Sequence, residues 1–160
     1  MIFNHKNISL KKYIPLMAIV AVALLFSFLT LRHMGQLPYR FMGFFLCLFS
    51  LFKWIDLQGF KEAFQKYDLI AMKYPKYSLI YPCIESGLGL MYLAMYFLNF
   101  ANLVTVIVMG INTLSIAYAL KKKQSLTCAC LGSVIKLPLS VVSLFESVTM
   151  MVMALIMLIF

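Results

Sequence analysis

The chain is written in long apolar blocks separated by short polar ones. A membrane-crossing helix needs about 20 mostly apolar residues. Five blocks reach or approach that length: residues 15–31, 41–55, 78–98, 102–120 and 139–160. The second block is short, and Lys53 and Trp54 close it. A lysine stem snorkels and tryptophan favours the headgroup level, so this block is expected to end at an interface. Only residues 99–102 part the third block from the fourth, which forces an antiparallel hairpin. Residues 56–77 follow another rhythm. Phe60, Phe64, Tyr67 and Ala71 recur at helical spacing, with Lys61, Glu62, Lys66 and Asp68 around the rest of the wheel. This predicts an amphipathic helix lying on the membrane and stopped by Pro75. The predicted fold class is an all-α membrane protein, a bundle of about five transmembrane helices with one interfacial amphipathic helix.

Composition agrees. Apolar residues make up 64% of the 160 positions and the mean hydropathy is +0.95. An ordinary soluble domain is about half apolar and could not hide this much apolar side chain. Residues 15–31 follow Lys6, Lys11 and Lys12, as a signal peptide would. However, the run is longer than a signal h-region, and Arg32, His33 and Met34 stand where a small-residue cleavage site belongs, so it reads as a retained span. One membrane domain is expected.

The net charge of +9 would suggest nucleic acid in a soluble chain. No RNP-like or zinc-finger pattern accompanies it, and none is expected to bind. The bases instead sort by side. With five spans, twelve of the fourteen Lys and Arg residues fall on one face: Lys6, Lys11 and Lys12 in the tail, five lysines from Lys53 to Lys76, and Lys121, Lys122, Lys123 and Lys136 in the last connection. Arg32 and Arg40 fall on the other. The positive-inside rule makes the twelve-base face cytoplasmic. The expected location is the cell's inner (cytoplasmic) membrane, multi-pass, with the N-terminus inside and the C-terminus periplasmic or extracellular.

Candidate chemistry starts at Thr127-Cys128-Ala129-Cys130-Leu131-Gly132. Two thiols one residue apart can grip a soft cation such as Cu(I), Hg(II) or Zn(II), or close a strained, readily reduced disulfide. Lys121 to Lys123 lie just upstream, and nearby cations favour the reactive thiolate. The bland alternative is a pair of small apolar fillers at a helix end. Glu85 and Glu146 lie about seven residues into the third and fifth blocks, roughly 10 Å deep from the same face. Carboxylates at such positions face the bundle interior and mark function, or serve as hydrogen-bonding glue between helices. Cys83 lies two residues before Glu85, so Cys83, Glu85, Cys128, Cys130 and Glu146 are expected to converge. Cys47, among Phe and Leu, reads as packing, and Gly87 and Gly89 as sites of close helix approach. Met150, Met153 and Met157 share a helical face that is more often core than a metal path. No haem or quinone site is visible in the sequence.

Several of these segments together resemble MauE/DoxX-type redox-associated membrane proteins: Asp56-Leu57-Gln58-Gly59-Phe60, Phe64 to Ala71, Tyr81-Pro82-Cys83-Ile84-Glu85-Ser86-Gly87, Cys128-Ala129-Cys130-Leu131-Gly132 and Leu144-Phe145-Glu146. The likeness runs from about Phe41 to near the C-terminus. It implies a four-helix membrane core over residues 41–160, with residues 1–40, the N-terminal tail and first span, as an addition, and an association with thiol or electron-transfer chemistry. MauE itself is linked to maturation of methylamine dehydrogenase beside a thioredoxin-like partner, and relatives of this shape look like heavy-metal handling proteins. The family's paired thiols fall on Cys128 and Cys130, and its buried acids on Glu85 and Glu146.

The functional expectation is thiol–disulfide exchange through Cys128 and Cys130 with a thioredoxin- or glutaredoxin-like partner, Glu85 or Glu146 handling protons. The first alternative is soft-metal transport or handling, with Cys128, Cys130 and Cys83 as ligands and a metallochaperone as partner. The second is a purely structural membrane subunit.

Overall fold

The computed structural model describes residues 14–30, 33–122, 127–128, 137–138 and 141–159. Lys6, Lys11, Lys12, Arg32, Lys123, Cys130 and Lys136 lie outside the described residues, as does the side chain of Cys128.

The described chain is helical apart from one two-residue ladder. Helix α1 covers Ile14–Leu29 and α2 covers Leu37–Ile55, the latter entered through a 3-10 turn at Met34–Gln36. Pro38 sits in the first turn of α2, where its missing N–H costs nothing. This starts the helix four residues before the apolar block and lengthens it to 19 residues. Helices α3 (Leu57–Phe64) and α4 (Leu69–Lys73) lead to α5 (Tyr77–Ala94) and α6 (Leu98–Lys121). Strands β1 (Thr127–Cys128) and β2 (Leu137–Pro138) pair antiparallel, Cys128 opposite Leu137, before α7 (Val141–Ile159).

By length and composition, α6 is long and apolar enough to cross a membrane among the described residues. Helix α2 passes the same test only jointly with α3, across a bend of 101°. Residues 17–29 and 144–159 form shorter apolar helices. Helix α5 carries Tyr, Ser, Pro and Glu because its polar positions face inward: Ser78, Tyr81, Pro82 and Glu85 are buried, while Leu79, Ile80 and Leu90 are exposed. Helix α6 repeats the arrangement, with Asn102, Thr105, Asn112 and Ser115 buried and Leu103, Ile107 and Leu114 exposed. Polar residues inside and large apolar ones outside is the reverse of a soluble protein's economy and suits an apolar solvent.

The bundle is built from two closely packed pairs, α2 with α5 and α6 with α7, and α1 leans on α2. Glycine sets the first pair's spacing. A Cβ on Gly89 would lie 2.6 Å from Cys47 Sγ and 3.0 Å from its backbone nitrogen; one on Gly43 would lie 3.1 Å from the Gly89 carbonyl oxygen. Gly87, expected to share this role, is exposed with open space around it.

Two local expectations change. The α5–α6 turn comes earlier, at residues 95–97, where Met95 and Phe97 take left-handed φ values of 55° and 50°. Tyr96 N then donates to the Met91 carbonyl, closing the helix end without glycine. Asn99 and Asn102 therefore sit inside α6; Asn102 accepts from Tyr92 Oη at 2.8 Å and donates to the Met157 carbonyl, tying three helices together. The single amphipathic helix is in fact two: α3 ends at Phe64, and Asp68 caps the start of α4. Its carboxylate accepts from the amides of Ile70 and Ala71 and from Ser115 Oγ on α6.

Candidate functional site

Helix α2 ends where the sequence placed an interface, but Lys53 does not snorkel outward. It turns into the bundle and is 4% exposed. Its Nζ donates to Glu85 Oε1 at 2.6 Å and to Oε2 at 2.5 Å. The ammonium also lies 4.8 Å from the Tyr81 ring centroid and 5.4 Å from that of Phe60. Rings around a desolvated cation add cation–π attraction to the ion pair. One residue on, exposed Trp54 donates from its indole to Ser86 Oγ. The successive pairs 53–85 and 54–86 fix the register of α2 against α5.

Two factors explain why the lysine points inward. The chain turns by 101° into α3, so Phe60 and Phe64 close over the end of α2 and shield Lys53 from water. Glu85, 3% exposed, would otherwise be an unpaired carboxylate in an apolar interior, at a cost of several kcal/mol. The apolar face of residues 56–77 is thus spent on the protein rather than on lipid. Phe60, Phe64, Tyr67 and Ala71 are all buried, and Phe64 packs 4.7 Å from the Tyr81 ring.

Beside the ion pair is a cavity of about 30 Å³, enough for roughly two waters. Lys53, Glu85, Glu146, Asn112 and Ser147 supply its polar walls, and Phe45, Phe60, Phe64 and Met150 are among its apolar ones. Asn112 Nδ2 donates to Ser147 Oγ at 3.0 Å, joining α6 to α7. Its Oδ1 is buried without a partner among the described residues. No hydrogen bond reaches the Glu146 carboxyl among them either. Among the described residues the site therefore holds one satisfied ion pair, one acid and one acceptor without a hydrogen-bond partner, around water-sized space.

Of the residues singled out by sequence, Glu85 and Glu146 share this cavity. Cys83 does not join them. Two residues along a helix is a turn of about 200°, so Cys83 faces outward, exposed, its thiol 3.7 Å from the Leu79 carbonyl. Cys47 is half-buried against Gly89. Only the backbone of Cys128 is described; β1 runs beside α3, the helix whose Phe60 and Phe64 wall the cavity.

Lys53 and Asn112 are participants the sequence pattern missed, and Asp68, outside the cavity, is buried against expectation. Lys53 reads from the sequence as an interfacial anchor, and Asn112 is not singled out there. Asp68 resembled the polar side of a surface helix, yet it is 1% exposed. Burial pushes its carboxyl above the ordinary value, against the lowering effect of the hydrogen bonds from Ala71, Ser115 and Ile70. A signal for Lys53 did exist in its placement, with Glu85, towards the same end of two consecutive apolar blocks.

Fold and site together define a small all-helical membrane-associated protein with a charged cluster buried among its helices. The family model for "Methylamine utilisation protein MauE" matches residues 31–160, and the chain belongs to that family. The match takes in α2 to α7 and begins just after α1. No curated protein and no solved structure matches the chain.

Proposed function

We propose that this MauE-family protein is a multi-pass protein of the inner membrane that performs thiol–disulfide exchange through Cys128 and Cys130 with a thioredoxin- or glutaredoxin-like protein. In this reading α1, α2, α5, α6 and α7 are the five spans, and α3, α4 and the β1–β2 segment lie on the cytoplasmic side. The observation that supports the reading is that β1, which carries the Cys128 backbone, runs beside α3, whose Phe60 and Phe64 help wall the cavity lined by Lys53, Glu85 and Glu146.

Oxidising a dithiol to a disulfide forms one S–S bond and releases two protons and two electrons. The partner's disulfide accepts the electrons and becomes the dithiol. A carboxyl next to water-sized space is suited to exchanging those protons, while Glu85 is engaged by both hydrogen bonds from Lys53. Glu146 is thus the mobile-proton group and Glu85 the fixed one.

The test is timed alkylation in native membranes, with and without prior reductant, read out by mass. Cys128 and Cys130 should label first and be protected together by oxidation, while Cys47 stays slow. Joint protection by Cu(I) or Hg(II), but not by an oxidised thioredoxin-like protein, would favour the soft-metal reading. Equally slow labelling of all four cysteines would leave the structural-subunit reading.

A further inference from the structure

The acidic residues of the chain are few and already engaged. There are 5 in all. Glu85 is paired with Lys53, and Glu146 lines the inner cavity. Asp68 is taken up by the start of α4 and by Ser115, and Asp56 accepts from the Gly59 amide at the start of α3. Glu62 is exposed, and it accepts from Gln58 on the same helix. Against these, Lys66, Lys73, Lys76, Lys121 and Lys122 are all exposed at the end of the bundle where α4 leads into α5 and where α6 stops. The counter-charge for these lysines comes from outside the chain.

The fold sets these lysines among exposed apolar side chains. Ser115 Oγ on α6 accepts from the Leu69 amide and donates to Asp68, so α4 is fastened to α6. Tyr118 and Lys122 follow Ser115 at helical spacing, on the same stripe of α6. Leu69, Met72 and Lys73 are the exposed residues of α4. Lys73 Nζ lies 5.7 Å from the centroid of the Tyr74 ring, and Lys122 Nζ lies 4.6 Å from that of Tyr118. Both rings are exposed. Away from the lysines the surface turns aliphatic. In α5, exposed Leu79 and Ile80 lie one turn beyond Lys76. In α6, exposed Leu114 shares a stripe with Tyr118 and Lys121.

Cation at the end, aromatic ring at the boundary and aliphatic side chain beyond is the order of charges and surfaces that a phospholipid presents from headgroup to tail. The geometry points to a binding surface for an anionic phospholipid, its phosphate among Lys73, Lys76, Lys121 and Lys122 and its acyl chains along the exposed apolar residues of α5 and α6. An acidic protein would answer the charge alone and would leave Leu79, Ile80 and Leu114 out of account. The inference rests on the placement of α5 and α6 in the bilayer and is independent of thiol exchange.

The experiment reconstitutes the full chain in phosphatidylcholine bilayers and compares the association of spin-labelled phosphatidylglycerol with that of spin-labelled phosphatidylcholine by electron paramagnetic resonance. Wild type should prefer phosphatidylglycerol at least about fivefold, and high salt should weaken the preference. Lys73→Gln with Lys122→Gln should lose most of it, as should Lys76→Gln with Lys121→Gln, a second pair in case the first folds poorly. Lys73→Arg with Lys122→Arg should keep it. Lys11→Gln with Lys61→Gln removes the same charge elsewhere and should also keep most of it. No preference in the wild type, indifference to both glutamine pairs at the surface, or an equal loss in the Lys11 and Lys61 control would overturn the proposal. So would a surface whose lysines bind an acidic thioredoxin-like protein but show no lipid preference. A chain that does not enter the bilayer overturns the membrane placement and the lipid surface together, whereas an inserted chain without preference overturns the lipid surface alone.

Discussion

Lys53 shows how far a single residue's meaning depends on its neighbours. At the end of an apolar block a lysine normally reaches outward to water. Here it finds Glu85 across the helix interface, and both are removed from solvent. A buried pair of this kind contributes little net stability compared with apolar residues of the same size, but breaking it strands a charge. Lys53→Met alone should therefore cost about 3–5 kcal/mol, and Glu85→Leu alone a similar amount. The double variant Lys53→Met with Glu85→Leu should recover most of that loss. Denaturant unfolding in mild detergent, run as a double-mutant cycle, checks this. A double variant no more stable than the singles would show that the pair does more than neutralise itself.

At the scale of elements, the α2–α5 contact depends on Gly43 and Gly89 and not on Gly87. Gly89→Ala would press a methyl group against Cys47, including its backbone nitrogen at 3.0 Å, so side-chain rotation alone cannot relieve it. Overpacking of this sort costs about 1–3 kcal/mol. Gly87→Ala meets nothing within 4 Å and removes a glycine from a helix interior, which favours the helix by up to about 1 kcal/mol. Thermal denaturation of the two variants should move in opposite directions. A stabilised Gly89→Ala would mean that α2 and α5 are farther apart than described. The same scale explains the broken amphipathic segment. Its hydrophobic spacing is that of one helix, but the Asp68 carboxylate has three donors to satisfy it only if the chain breaks before Leu69. Periodicity reports which face is apolar and is silent on where a side chain caps.

For the whole molecule, the sidedness of the bases leads to a direct test. Twelve basic residues on one face and two on the other predict an odd number of spans. A reporter fused after Phe160 should be active only outside the cytoplasm. Cytoplasmic activity there would mean an even number of spans, and the β1–β2 segment would move to the opposite side from its present assignment. The sequence by itself determined the helical class, the apolar blocks, the inward tendency of Glu85 and Glu146 and the family resemblance. These follow from the bilayer's demand for long apolar helices and from the cost of a carboxylate in hydrocarbon, both of which act on each block separately. Tertiary structure alone decided that Lys53 pairs with Glu85, that Cys83 turns away from that pair, that Asp68 is buried, and that Glu146 lines the cavity beside the pair. Each of these depends on the rotation of one helix against another and on the 101° bend into α3. Such relative placements are fixed by side-chain packing across helices, which no spacing within a single block encodes.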